Sequence, residues 1–213
     1  MEGILHYETF LLAGILLNLT PGNDTIFILS KSMAQGRRAG IISALGIGAG
    51  CLVHTLLAAF GLSLILAKSL LVFTVVKYLG AAYLLYLGWR MLMPSPVFAI
   101  HQPAPGNSAS NRRVFIDAML TNILNPKVAI FFIAFLPQFI DPAFRHAPLP
   151  FLLLGLSFIT TGTIWCIFLA VFASAVARRL QKNPALATRI NQFCGLALVG
   201  LGIKLAFARH PVS

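Results

Sequence analysis

Two ionisable residues sit beside proline sites inside long hydrophobic stretches of this chain. Asp24 closes the run Leu19-Thr20-Pro21-Gly22-Asn23-Asp24, and Lys127 follows Asn125-Pro126. A charge within a bilayer costs about 2.5–3.5 kcal/mol even on the lenient insertion scale, so such residues mark substrate or ion pathways. A carboxylate and an ammonium at similar depth are suited to holding the two ends of a zwitterion, and a carboxylate can also carry a proton. Asp24 has a partial reason for its place, because a carboxylate at the start of a half-helix meets the positive end of the dipole. Lys127 occupies the same kind of position with the wrong sign and needs an anion to compensate it. Asp24 and a substrate carboxylate are the two candidates. At 1.5 Å rise per residue the two backbones lie about 10 Å apart along the membrane normal, so a direct pair and a substrate bridge both remain open.

Polar side chains cluster around these charges. Asn18, Asn122 and Asn125 flank the two proline sites, and Asn122 and Asn125, three apart, share a helix face. They suit either substrate groups or unsatisfied backbone. His54 is the one histidine within an apolar run, and imidazole titrates near neutral pH. It suits a proton relay or an interhelical hydrogen bond. Thr160-Thr161-Gly162-Thr163 suits a polar path, or hydroxyls bonded to their own helix. Lys77 is expected to snorkel outward, and Asp117 to pair with Arg113 four residues earlier.

Composition says what holds these residues. Of 213 residues 58% are hydrophobic and 10% charged, against roughly 25% charged in a soluble domain. A soluble fold of this size has no interior large enough for so much apolar surface. The net charge of +11 comes from short Lys/Arg clusters between apolar runs, not from a basic patch with interleaved aromatics. It therefore points to a membrane and away from nucleic acid. Glu2 and Glu8 are the only charges before residue 24, so the first run is expected to be a retained span rather than a secretory signal. Cys51, Cys166 and Cys194 lie singly in apolar runs, with no metal-ligand spacing, and read as packing residues. No cofactor is expected.

A span needs about 20 apolar residues, and backbone satisfaction in lipid makes each one a helix. Six stretches qualify: 4–30, 41–66, 70–93, 114–140, 149–176 and 190–207. The first and fourth are broken at Pro21 and Pro126, where a helix loses a hydrogen bond and meets a ring clash. Ten of the 16 Lys and Arg fall in the connections after spans one, three and five, which places those connections in the cytoplasm and both termini outside. The segment 94–112 is rich in Pro, Gly, Ser and Asn and reads as a cytoplasmic linker between two three-helix halves, 1–93 and 113–213.

The halves resemble each other. With Pro21 set on Pro126, Phe10 falls on Phe115, Ala13 on Ala118, Leu19 on Leu124 and Phe27 on Phe132. Gly50 then answers Gly162, and Leu87-Gly88-x-Arg90 answers Leu201-Gly202-x-Lys204. An odd number of spans per half makes the repeat inverted, which is a transporter architecture with its site where the breaks meet. Gly46-x-Gly48-x-Gly50 lies inside an apolar run with no strand before it, so it is read as a close helix contact, as are Gly80 and Gly88. Such small-residue faces permit a homodimer without requiring one.

Leu19-Thr20-Pro21-Gly22-Asn23-Asp24, Leu124-Asn125-Pro126-Lys127 with Phe131-Phe132 and Leu136-Pro137-Gln138-Phe139, and Tyr78-Leu79-Gly80-Ala81-Ala82-Tyr83-Leu84 together resemble the lysine-exporter and homoserine/threonine-resistance superfamily of bacterial amino-acid exporters. The resemblance covers nearly the whole chain. It implies proton-driven efflux of amino acids or derivatives across the bacterial inner membrane, with roles for Thr20, Pro21, Gly22, Asp24, Asn125, Pro126 and Lys127. Asn23 departs from the family, whose members often carry a second proline there, and it adds an amide beside the break. The expected site is therefore Thr20, Pro21, Gly22, Asn23, Asp24, His54, Asn122, Asn125, Pro126 and Lys127, with no catalytic group and no metal. A metal-cation exporter is the alternative. A membrane thiol enzyme would need a cysteine pair beside the breaks, where the sequence has none.

Overall fold

The protein is described by a computed structural model over residues 3–62, 70–93 and 109–207. Among these residues the structure is helical, with one isolated antiparallel bridge between Ile4 and Ile140. Most of the expected linker, residues 94–108, lies outside the described residues, as do residues 63–66 at the end of the expected second span.

The two prolines break their helices in the same way. A residue before proline is pushed into the extended region. Thr20 accordingly has φ −64° and ψ 118°, and Asn125 has φ −78° and ψ 107°. The first apolar run becomes α1 (Tyr7–Leu19) and α2 (Asn23–Gln35), which meet at 50°. The fourth becomes α5 (Asn111–Ile123) and α6 (Pro126–Ile130), whose helix runs on through a π turn (Phe131–Phe135) and a 3-10 turn (Leu136–Phe139) and bends by 49° at the break.

The intervening helices are α3 (Arg37–Leu57), ending in a π turn (Ala58–Leu62), and α4 (Leu70–Leu92). Gly36 joins α2 to α3 with φ 83°, a left-handed conformation that a side chain would strain. The chain ends in α7 (Pro148–Lys182) and α8 (Pro184–Phe207). Among the described residues three helical segments, Arg37–Gly61, Pro148–Ala177 and Thr188–Phe207, are long and apolar enough to cross a membrane. Each bent pair qualifies as one further span, which makes five. The third expected span corresponds to α4, 23 residues long.

Two apolar clusters hold these helices together. One centres on Phe131, whose ring stacks on Phe158 at 4.8 Å and on Phe135 at 5.2 Å and lies 5.8 Å from Phe10. It ties the broken α6 segment to α1, α4, α7 and α8. The other joins α2, α3, α5 and α7 through Ile28, Leu29, Ala44, Ile47, Ala118 and Leu169. The glycines act as expected. A Cβ on Gly46 would run into Phe115 O, and one on Gly50 would lie 2.8 Å from both Asn122 and Met119 O, so α3 and α5 approach at backbone distance. Gly88 meets Gly195 in the same manner, joining α4 to α8.

One expectation fails here. Lys77 does not snorkel outward. It is 4% exposed, and its ammonium lies 4.6 Å from the ring centroid of Tyr78. Helix α4 packs along α8 and the Phe131–Phe135 turn, and Lys77 is buried within this packing with the Tyr78 ring beside its ammonium.

Candidate functional site

The break at Pro21 frees backbone carbonyls. A continuous helix would give Leu17 O the N–H of residue 21, which proline lacks, and Leu17 O instead accepts the Thr20 N–H at 3.2 Å. Thr20 O loses its partner because the chain turns away. Lys127 fills this gap from the other half of the molecule. Its Nζ donates to Thr20 O at 2.9 Å and to Leu17 O at 3.2 Å. The negative end of the α1 dipole therefore compensates the ammonium. Asp24 lies on a separate set of donors, and these two carbonyls are the direct hydrogen-bond partners of the ammonium. An ammonium carries three N–H groups, so one remains beyond these two bonds.

Asp24 sits in the first turn of α2, where the dipole favours a carboxylate. Its Oδ2 accepts from Asn122 Nδ2 at 2.9 Å and from Asn125 Nδ2 at 3.1 Å. Asn125 serves both breaks, since its Oδ1 caps α6 by accepting from the Lys127 backbone N–H at 3.1 Å. Asn122 is fully buried, and its backbone carbonyl accepts from His54 Nε2 at 3.2 Å. His54 also stacks on Phe132 at 5.7 Å. The Asp24 Oδ1 and Asn122 Oδ1 atoms are buried without a hydrogen-bond partner.

These groups face one small cavity of about 30 Å³. That is room for roughly two waters and far too little for an amino acid. Asp24, Asn122 and Lys127 line it, with Asn18, Thr163 and Trp165 among the remaining wall residues.

The sequence profile of the family described as LysE type translocator matches residues 15–209, which include both breaks and all of these groups. The chain belongs to that family. The translocator is 34% identical over 195 residues to the uncharacterized membrane protein YrhP of Bacillus subtilis, covering 87% of this chain and 91% of that one. It is 32% identical over 203 residues to an uncharacterized membrane protein of Vibrio cholerae, covering 94% of this chain and 96% of that one. It is 31% identical over 208 residues to a protein of Klebsiella pneumoniae named leucine efflux protein, covering 96% of each. No solved structure matches it.

Within the translocator, Thr20, Pro21, Gly22, Asp24, Asn122, Asn125, Pro126 and Lys127 come together across the two breaks. A Cβ on Gly22 would lie 3.4 Å from Lys127 Nζ, so the glycine leaves room for the ammonium. Asn23 begins α2 beside Asp24, and His54 stands behind Asn122 rather than on the cavity wall. Asn18 Nδ2 donates to Thr161 Oγ1 at 3.3 Å and ties α1 to α7. Thr160 and Thr161 bond their own helix, at Leu156 O and Ser157 O, while Gly162 and Thr163 face the cavity. Arg113 and Asp117 approach to 3.9 Å on an exposed face. The sequence reading missed Trp165, which lies in an apolar stretch with no polar period to distinguish it. It also missed the carbonyls of Leu17 and Thr20, which every residue type carries.

Proposed function

We infer that the translocator is a secondary exporter that carries amino acids, neutral or small polar ones or their derivatives, out of the cytoplasm in exchange for protons. The observation that carries this reading is the half-satisfied Asp24. One carboxylate oxygen is held by two asparagine amides and the other is buried without a partner, in a side chain that lines the same cavity as Lys127, whose ammonium has an N–H beyond its two carbonyl bonds. That arrangement suits a substrate ammonium at Asp24 Oδ1 and a substrate carboxylate at Lys127 Nζ. A proton on Asp24 would replace the substrate ammonium and couple the two flows. Leucine efflux by a relative of nearly the same length supports the substrate class.

Alternating access follows from the two halves. Inverted repeats over 1–93 and 113–213, joined by a linker over 94–112, are supported by the matched bends of 50° and 49°. Packing across the halves supports them too. Gly50 meets Asn122 just before the second break, and Gly162 meets Asn18 just before the first. Gly88 meets Gly195, and Gly202 meets Ala81, which is the same contact exchanged between α4 and α8. With α4 counted, the reading has six spans, and the Lys/Arg asymmetry puts both termini outside the bacterial inner membrane. No observation favours the metal-cation alternative.

The test is efflux. Bacteria overexpressing the protein are loaded with amino acids as dipeptides, and the medium is profiled against Asp24→Asn and Lys127→Ala. Selective appearance of a few amino acids, lost in both variants and lost when a protonophore collapses the gradient, supports the whole reading. Export that survives Asp24→Asn removes the coupling role. No export by the native protein in the membrane removes the amino-acid reading.

A further inference from the structure

Trp165 stands on α7 where three spaces meet. It lines the polar cavity, a groove between α1 and α7, and a larger groove of about 440 Å³ bounded by α1, α2, α7 and α8. Thr25, the residue after Asp24, lines both the cavity and the larger groove, so these two spaces adjoin one residue from the carboxylate. The larger groove has a buried apolar floor of Leu29, Leu169 and Cys194. The groove between α1 and α7 is walled by the outward-facing Ile164 and Phe168 and belongs to the outer surface. Trp165 Nε1 is buried with no hydrogen-bond partner. An apolar residue would fill this place without an unpaired donor, and buried indoles usually find an acceptor. The ring lies against Phe168, 5.5 Å away at 16°.

We propose that Trp165 is the specificity-determining residue of the translocator: an amino acid held by its ammonium at Asp24 passes its side chain beside the indole into the groove over Leu29 and Leu169. The groove then selects aliphatic side chains, and the size of residue 165 sets how bulky they can be. A cationic side chain would lose its hydration there and meet the like charge of Arg189 on the groove wall. The assignment rests on the export reading above and adds to it the side-chain class and the residue that selects it.

Cells expressing native protein, Trp165→Phe or Trp165→Ala are loaded with dipeptides that release alanine, leucine, phenylalanine and lysine. Membrane content of each protein is measured alongside efflux. Native protein is expected to prefer leucine, with lysine excluded. Trp165→Phe keeps that order, because apolar bulk is retained. Trp165→Ala still exports, but its ratio of phenylalanine to leucine rises by about tenfold or more, the range one or a few methylenes command in an apolar pocket. If the alanine variant does not accumulate, Trp165→Leu carries the same expectation in the same direction. An unchanged phenylalanine-to-leucine ratio in Trp165→Ala, or in Trp165→Leu where it stands in for it, overturns the proposal, as does native export of lysine alongside leucine. Equal loss of every substrate in all variants also overturns it, since the indole N–H would then serve a group common to all amino acids. If the native protein exports none of the four while present in the membrane, the export reading itself falls and the selectivity assignment falls with it.

Discussion

At Lys127 the ammonium does two things, and they can be separated. It bonds carbonyls at the Pro21 break, and it lines the cavity with one N–H beyond those two bonds. Hydrogen bonds from a charged donor are worth about 1.5–3 kcal/mol each. Lys127→Met, similar in length and apolar, is therefore expected to lower the thermal midpoint in detergent by about 10 °C and to abolish export. Lys127→Arg keeps the charge and should recover most of the midpoint, while its larger head fills the small cavity and leaves export low. Asn125 allows a sharper separation because its two ends do different jobs. Asn125→Asp keeps an oxygen to cap α6 but sets a second carboxylate against Asp24, so export is expected to fail with the protein present in the membrane. Asn125→Ser keeps a cap of similar rank and adds no charge, so it should retain part of the export. His54 donates to a backbone carbonyl. His54→Gln, which keeps a donor, is expected to export with the pH profile of the native protein. A profile flattened or lost in that variant would instead make the imidazole a proton carrier.

The helices bring these residues together only because they approach at glycine. Gly50 lies against Asn122, the residue that orients Asp24. Gly50→Ala must push α3 from α5 by a few tenths of an ångström or more, and the shift falls on the Asp24 donor. A fall in export of about tenfold is expected, larger than any loss of membrane content. A Cβ added at Gly200 would have nothing within 4 Å, and the residue sits within α8. Gly200→Ala should leave export unchanged and stabilise the helix by about 0.8–1 kcal/mol through propensity alone. The contrast between two glycines in apolar helices separates close packing from simple tolerance and is read by efflux beside a melting curve.

At the scale of the molecule, the cavity of about 30 Å³ has to open for any amino acid to reach Asp24. Its walls include α3 and α7, one from each proposed repeat. A Cβ on Gly48 would lie 3.1 Å from Thr163 Oγ1 across it. Cysteines at these two positions are close enough to form a bond of about 2 Å. The natural cysteines are buried and free, and they are replaced by serine in this experiment. Oxidation of the Gly48→Cys, Thr163→Cys double variant is expected to stop export, and reduction to restore it. Export that continues with the disulfide formed would mean that substrate passes without parting α3 from α7.

Much of this translocator was legible in the chain before any coordinates. Apolar length and the scarcity of charge require membrane helices, because no soluble interior of this size hides that much surface. The breaks at Pro21 and Pro126 were legible because a ring without an N–H stops a helix wherever it stands, and both prolines do so at nearly the same angle. Asp24 and Lys127 stood out because charge in an apolar run demands a partner. Which partner was a different kind of question. Composition and spacing offered Asp24 or a substrate carboxylate for Lys127, and the folded chain adds direct bonds to the carbonyl end of α1. Lys77 reads as a snorkelling residue along its own helix and is buried by neighbours that its helix does not specify. Trp165 looks like one more apolar residue until three spaces are found around it. The local chain determines where a helix must form and where it must break, since those depend on bonds within a few residues. Only the tertiary structure decides which freed carbonyl meets which ammonium, because that depends on groups more than a hundred positions apart.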